Sequence, residues 1–139
     1  MTLWLLDASV LLASEDPDDE HHEEATRLLR GTDPLATLDL AFYEVSNVAL
    51  RAWHDPSAES RLRERVEAVA EDGGLVRADG ALLEAAAGIA TEHGISVYDA
   101  AYVAAADRAG AQLVSCDLRD LVARGLAHTP REAGPAESG

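Results

Sequence analysis

Four carboxylates stand where the chain changes character or where a charge is out of place, and together they set the chemistry open to this sequence. Asp7 directly follows the apolar run Leu3-Trp4-Leu5-Leu6. Asp99 lies in Ser96-Val97-Tyr98-Asp99-Ala100-Ala101-Tyr102, at the head of a stripe (Asp99, Tyr102, Val103, Ala106) that should be buried at the helical period. Asp117 follows Leu113-Val114-Ser115 by two residues, and Glu44 falls among Ala41, Val45, Val48 and Ala52 in mid-helix, where it cannot be a cap. Each aspartate has a plainer reading: Asp7 as a cap, and Ser96 with Asp99, or Asp117 with Asp120, as capping boxes. For Glu44 the plainer reading is an acid at the margin of the stripe, paired with an arginine such as Arg51. The repetition favours chemistry, because acids at the carboxyl ends of several strands share one sheet edge, where ligand sites of parallel sheets lie. Carboxylates gathered there repel one another unless a cation neutralises them, and oxygen-only donors suit Mg²⁺ or Mn²⁺. The matching reaction is phosphodiester hydrolysis: one metal polarises the phosphoryl oxygen and yields a hydroxide near neutral pH, and a second, about 4 Å away, steadies the leaving oxygen. Asp120, one turn into its helix, is expected to point away from this cluster.

Short strands must carry these residues. Apolar segments at 3–6, 34–38, 75–76, 95–97 and 112–115 read as strands, and helices are expected over 7–13, 20–30, 39–54, 57–72, 80–93, from Asp99's segment to Gly110, and 117–124. Gly31, Gly73-Gly74 and Gly125 mark helix ends. The strands are apolar throughout rather than alternating, which predicts an α/β three-layer sandwich with a mainly parallel, short-stranded sheet flanked by helices. At 139 residues the chain suffices for one domain, expected over 1–128. Pro, Gly, Glu and Ser dominate 129–139, which is expected to be a disordered or loosely attached tail.

With 47% hydrophobic residues but only 4% aromatics, the core must be built from Ala, Leu and Val. The net charge of −15 excludes binding nucleic acid through a broad basic face, though not through bound cations. All 11 basic residues are Arg; there is no Lys. The single Cys116 has no partner for a disulfide or a zinc site, which fits a reducing cytoplasm. No segment approaches the roughly 18 apolar residues of a membrane span, and the N-terminus lacks a basic leader, so a soluble, unexported protein is expected. His21, His22 and His93 lack zinc spacing and read as surface residues, as do Arg61, Arg63 and Arg65, salt-bridged among Glu59, Glu64 and Glu67. Ser9 has no histidine in a motif that would activate it as a nucleophile.

In their order, Asp7-Ala8-Ser9, Glu44-Val45-Ser46-Asn47, the block around Asp99 and Leu113-Val114-Ser115-Cys116-Asp117 resemble the PIN domain, specifically the VapC-type toxins of toxin–antitoxin pairs. The resemblance spans residues 2–127. It implies a PIN-like fold and a metal-dependent endoribonuclease with Asp7, Glu44, Asp99 and Asp117 as catalytic metal ligands. Ser9 and Ser115 are implied as hydrogen-bonding support, Mg²⁺ or Mn²⁺ as cofactor, RNA as substrate, a cognate antitoxin as inhibitor, and a homodimer as the assembly. The alternative is a non-catalytic PIN-like binding or signalling module with an acidic Mg²⁺ pocket. A receiver domain would need a Lys after its last strand, and an aspartyl phosphatase a second Asp where Ser9 stands.

Overall fold

The structure, a computed structural model, describes residues 2–134. Four strands, β1 (Trp4–Leu6), β2 (Leu35–Leu38), β3 (Leu75–Val76) and β4 (Gln112–Val114), form one sheet in the order β3-β2-β1-β4, with every pairing parallel. Leu6 stands opposite both Thr37 and Val114, so the three longer strands end together. That common end is where the chain places its acids. Parallel pairing needs crossovers, and six helices supply them: α1 (Ala8–Glu15), α2 (His22–Arg30), α3 (Leu40–Asn47), α4 (Pro56–Glu71), α5 (Gly80–His93) and α6 (Val97–Ala109). A π-helical turn, Val48–Ala52, extends α3, and another, Leu118–Val122, follows β4. α6 packs against β1, β2 and β4 and carries α5 beside it, while α1, α3 and α4 pack on one another, with α1 against β1 and α4 against β2.

Every residue of β1 is buried, as are Ala100 to Ala106 along α6. A helix apolar on all sides belongs inside, and its alanines let it approach the sheet and α5 closely. Trp4 and Tyr102 are the aromatic residues of the buried core among the described residues. Gly74 is required where the chain enters β3: a Cβ there would meet the Leu35 carbonyl oxygen at 2.1 Å.

Two expectations need correction. Residues 95–97 are not a strand. Gly94 closes α5 in the left-handed conformation, its N–H bonded to the Ala90 carbonyl, and Ser96 already caps α6. The two signals leave only Ile95 between them, so α5 and α6 form a helical hairpin and Asp99 reaches the sheet edge as the third residue of a helix. Nor is the chain loose from residue 129. His128 pairs with β4, its N–H bonding the Leu113 carbonyl and its own carbonyl accepting from Ser115, and its ring meets Trp4 edge-on at 6.0 Å. Thr129 and Glu132 then hydrogen-bond each other in a turn that buries Ala133 in the core. The remainder of the expected tail, 135–139, lies outside the described residues. No helix among the described residues is long and apolar enough to cross a membrane.

Glu15, at the end of α1, ties that helix to α4 through ion pairs with Arg61 and Arg65, the latter at 3.0 Å. Of the arginines read as surface, only Arg63 pairs within its own helix, with Glu59. Burial alone would push the Glu15 carboxyl up, but hydrogen bonds and charge from the two guanidinium groups outweigh it and hold the carboxyl below its ordinary value. A carboxyl depressed on folding stabilises the protein above its unfolded pKa and loses that contribution as pH falls through the folded one. Glu15→Gln is therefore expected to cost about 1–2 kcal/mol at pH 7, near the lower end for hydrogen bonds to charged groups because both guanidinium groups are partly solvated. The gap to wild type should narrow in urea unfolding as the pH is lowered below about 4.5; a gap independent of pH would refute the ion-pair account.

Candidate active site

Three helical N-termini converge on the carboxyl edge of the sheet, and each brings an acid with it. Asp7 follows β1 directly and is the N-cap of α1, its Oδ1 accepting from the Val10 N–H at 3.3 Å. Ser96 caps α6, accepting from the Asp99 N–H at 3.0 Å, which sets Asp99 in the first turn. Asp117 caps the π-helical turn after β4 and accepts from the Asp120 N–H at 2.9 Å. Capping therefore does not compete with clustering: the caps aim the carboxylates, and the positive helix ends offset part of their charge.

The carboxylates of Asp99, Asp117 and Asp120 each offer an oxygen within 4.8 Å of the others. Asp120 therefore does not point away, as its place in the helix had suggested. An N-cap side chain folds over the first turn toward the N3 residue, so the spacing of three that resembles a capping box also makes the two acids neighbours.

Asp7 is only 5% exposed and accepts a 2.5 Å hydrogen bond from the Ser9 hydroxyl. Ser9 in turn accepts from the Cys116 N–H at 2.9 Å, and the buried Ser115 accepts from the Asp117 N–H at 3.0 Å. The two serines, 3.5 Å apart, join the strand ends that carry Asp7 and Asp117. Burial pushes the Asp7 carboxyl up to about 6, against the hydrogen bonds of Ser115, Ser9 and Val10, and Asp99 adds repulsion. Cys116, beside it, is pushed up to about 12 chiefly by burial, which leaves the thiol protonated and unreactive at neutral pH.

Glu44 comes from α3. Its partner is not Arg51 but the Tyr102 hydroxyl, which donates to Oε1 at 2.6 Å across 58 residues of sequence. Burial and the Glu44 charge push the Tyr102 phenol up, so it remains a donor at neutral pH. The Glu44 carboxyl is itself raised by burial, with Asp99 adding repulsion and Tyr102 opposing. Asp99 is raised by burial and then by the charge of Asp117. Asp7, Glu44 and Asp99 hold their protons above the ordinary range, and the converging donors of Asp99, Asp117 and Asp120 are all oxygens, which fits a hard divalent cation, with Asp7 and Glu44 facing Asp99 electrostatically. Tyr102, missed as a site residue, was detectable only through its helical spacing of three from Asp99.

The chain has counterparts among known proteins. Ribonuclease VapC3 of Pyrobaculum aerophilum is 35% identical, the match covering 81% of this chain and 88% of the relative. A toxin–antitoxin complex from Klebsiella pneumoniae contains a chain that superposes with a TM-score of 0.69 at 19% identity, covering 91% of this chain and 96% of that one. Mycobacterium tuberculosis VapC20, described as a Sarcin-Ricin loop cleaving toxin, superposes with a TM-score of 0.68 at 20% identity, covering 88% and 95%. These two likenesses establish the fold. The sequence model of the PIN domain matches residues 4–124, which span β1, the whole sheet and all five acids, and with the 35% relative this shows that the chain belongs to the PIN domain family.

Proposed function

We propose that the protein is a divalent-metal-dependent endoribonuclease that hydrolyses RNA phosphodiester bonds in the cytoplasm as the toxin of a toxin–antitoxin pair. The observation that carries this reading is the convergence of Asp99, Asp117 and Asp120 beside Asp7 and Glu44 at the carboxyl edge of a PIN-family sheet; the similarity to a ribonuclease supports the choice of RNA. Mg²⁺ or Mn²⁺, held by Asp99 and Asp117 with Asp120, Asp7 and Glu44 contributing, would neutralise the acids, polarise the phosphoryl group and lower the pKa of the attacking water. The chain's own task is orientation. Ser9 and Ser115 hold the Asp7 and Asp117 strand ends in register, and Tyr102 fixes the rotamer of Glu44 by a charge-assisted bond. A polyanion would not approach this cleft uncompensated, so cleavage should stop in EDTA and return with Mn²⁺.

The partner reading has its own electrostatic support. An acidic pocket attracts a guanidinium, which pairs bidentately with carboxylates and competes with the metal. An antitoxin tail carrying Arg is the expected inhibitor, and a homodimer, testable by light scattering, is the assembly implied by the family resemblance.

Asp117 and Asp120 separate the central ligand from the supporting one. Asp117→Asn is expected to remove nearly all RNA cleavage at any metal concentration. Asp120→Asn should raise the Mn²⁺ concentration for half-maximal rate by about 10- to 100-fold and recover most of the rate at saturation, as removal of an outer partner does. Metal titrations of both variants decide it: equal, irrecoverable loss would make Asp120 as central as Asp117, and no cleavage by wild type with either metal would favour the non-catalytic module.

A further inference from the structure

We infer, resting on the endoribonuclease reading, that Tyr98 is a substrate-binding residue whose ring stacks on a base of single-stranded RNA next to the phosphodiester held at the acidic cluster. α6 is buried from Ala100 to Ala106, yet Tyr98 in its first turn leaves 60% of its surface exposed. Its neighbour Tyr102, four residues on and so on the same face, is 2% exposed and hydrogen-bonded to Glu44. The fold accounts for Tyr102, whereas no packing or hydrogen bond among the described residues accounts for an exposed ring at Tyr98.

Position supplies the rest. Tyr98 directly precedes Asp99, so their Cα atoms are about 3.8 Å apart. Helical side chains lean toward the N-terminus, and the N-terminus of α6 is the end at which Asp99 meets Asp117 and Asp120. Tyr98 thus stands at the end of α6 that carries Asp99, on the helix face it shares with Tyr102, whose hydroxyl reaches Glu44. The charge of the chain gives such a contact value: at −15, with no Lys, it offers RNA no broad basic face, and beside the cluster the exposed Arg119 next to Asp120 is a single positive charge. Stacking needs no charge and tolerates any base, which suits a chain that must hold a flexible strand beside a metal.

The other strongly exposed tyrosine serves as a control. Tyr43 precedes Glu44 as Tyr98 precedes Asp99 and is 78% exposed, but it lines a groove with Phe42, Asn47, Leu50 and Arg63 to which none of the five acids contributes, so it tests whether chain adjacency to an acid is enough. The test is steady-state cleavage of a fluorophore-labelled single-stranded RNA with Mn²⁺ by wild type, Tyr98→Ala, Tyr98→Leu, Tyr98→Phe and Tyr43→Ala, with thermal melts in Mn²⁺ beside it. Tyr98→Ala and Tyr98→Leu should raise KM by about 5- to 150-fold, the range of one lost base stack, with kcat within about twofold. Tyr98→Phe should restore KM, because the π-face and not the hydroxyl is at work, and the Mn²⁺-induced rise in Tm should be the same in all five proteins. Wild-type KM in Tyr98→Ala, or rescue by Leu as good as by Phe, overturns the inference while leaving the nuclease reading intact. Unchanged KM with weakened inhibition by the antitoxin would assign the ring to a protein interface and overturn it too. Wild type that cleaves no RNA would fail earlier, and would remove both readings together.

Discussion

Asp99→Asn is expected to leave the metal-free protein as stable as wild type or more so, to abolish most of the stabilisation that Mn²⁺ confers, and to reduce RNA cleavage by about 100-fold or more. The opposite signs follow from one arrangement. Asp99 faces Asp117 and Asp120, and its carboxyl is raised by burial and by their charge, so removing its charge relieves repulsion when no cation is bound. Metal binds the folded site and hardly the unfolded chain, and at a hundred times its dissociation constant it adds about 2.7 kcal/mol to wild type. Asn supplies neither the charge nor the same donor, so this increment shrinks. If Asp99 were only the N3 partner of Ser96, its loss would cost about 0.5–2 kcal/mol equally with EDTA and with Mn²⁺. Thermal melts of both proteins in the two conditions separate the accounts, and an equal drop with an unchanged metal response would remove Asp99 from the site.

Asp7→Asn should stabilise the metal-free protein by an amount that depends on pH. Asp7 is nearly fully buried, and its carboxyl is raised from 3.8 to about 6. With the folded value above the unfolded one, the folded state holds the proton longer, so wild type loses stability as pH rises from about 4 to 6 and nothing further above that. About two units correspond to ~3 kcal/mol. Asn does not titrate and caps a helix as well as Asp does, so the variant escapes this loss while keeping the Val10 bond. In EDTA the stability gap between Asp7→Asn and wild type should widen by up to ~3 kcal/mol between pH 4 and pH 6.5, then level off. Urea unfolding across that range measures it; a flat difference would mean that burial does not strain Asp7. RNA cleavage by the variant should nevertheless be lost, so that stability and function move apart at this residue.

The sequence alone determined where the acids would be found. Apolar runs too short for helices specify parallel strands whose carboxyl ends share an edge, Asp7 and Asp117 follow two of them closely, and with the mid-helix Glu44 they were legible as candidates from local order alone. Helix ends carried local signals as well, Gly94 and Ser96 among them; giving those signals precedence over the apolar trio at 95–97 would have removed the false strand. What only the tertiary structure decided are the partners brought together across long separations: Tyr102 onto Glu44, Glu15 onto Arg61 and Arg65, and the 129–134 segment onto the core. Asp120 lies between the two cases, since its spacing from Asp117 was visible but its direction was not. A capping pattern states which backbone group a side chain satisfies, and leaves open which other side chains crowd the same helix end. That depends on how α6 and the turn after β4 dock on the sheet, and docking is set by burial summed over the whole chain, which no local window contains.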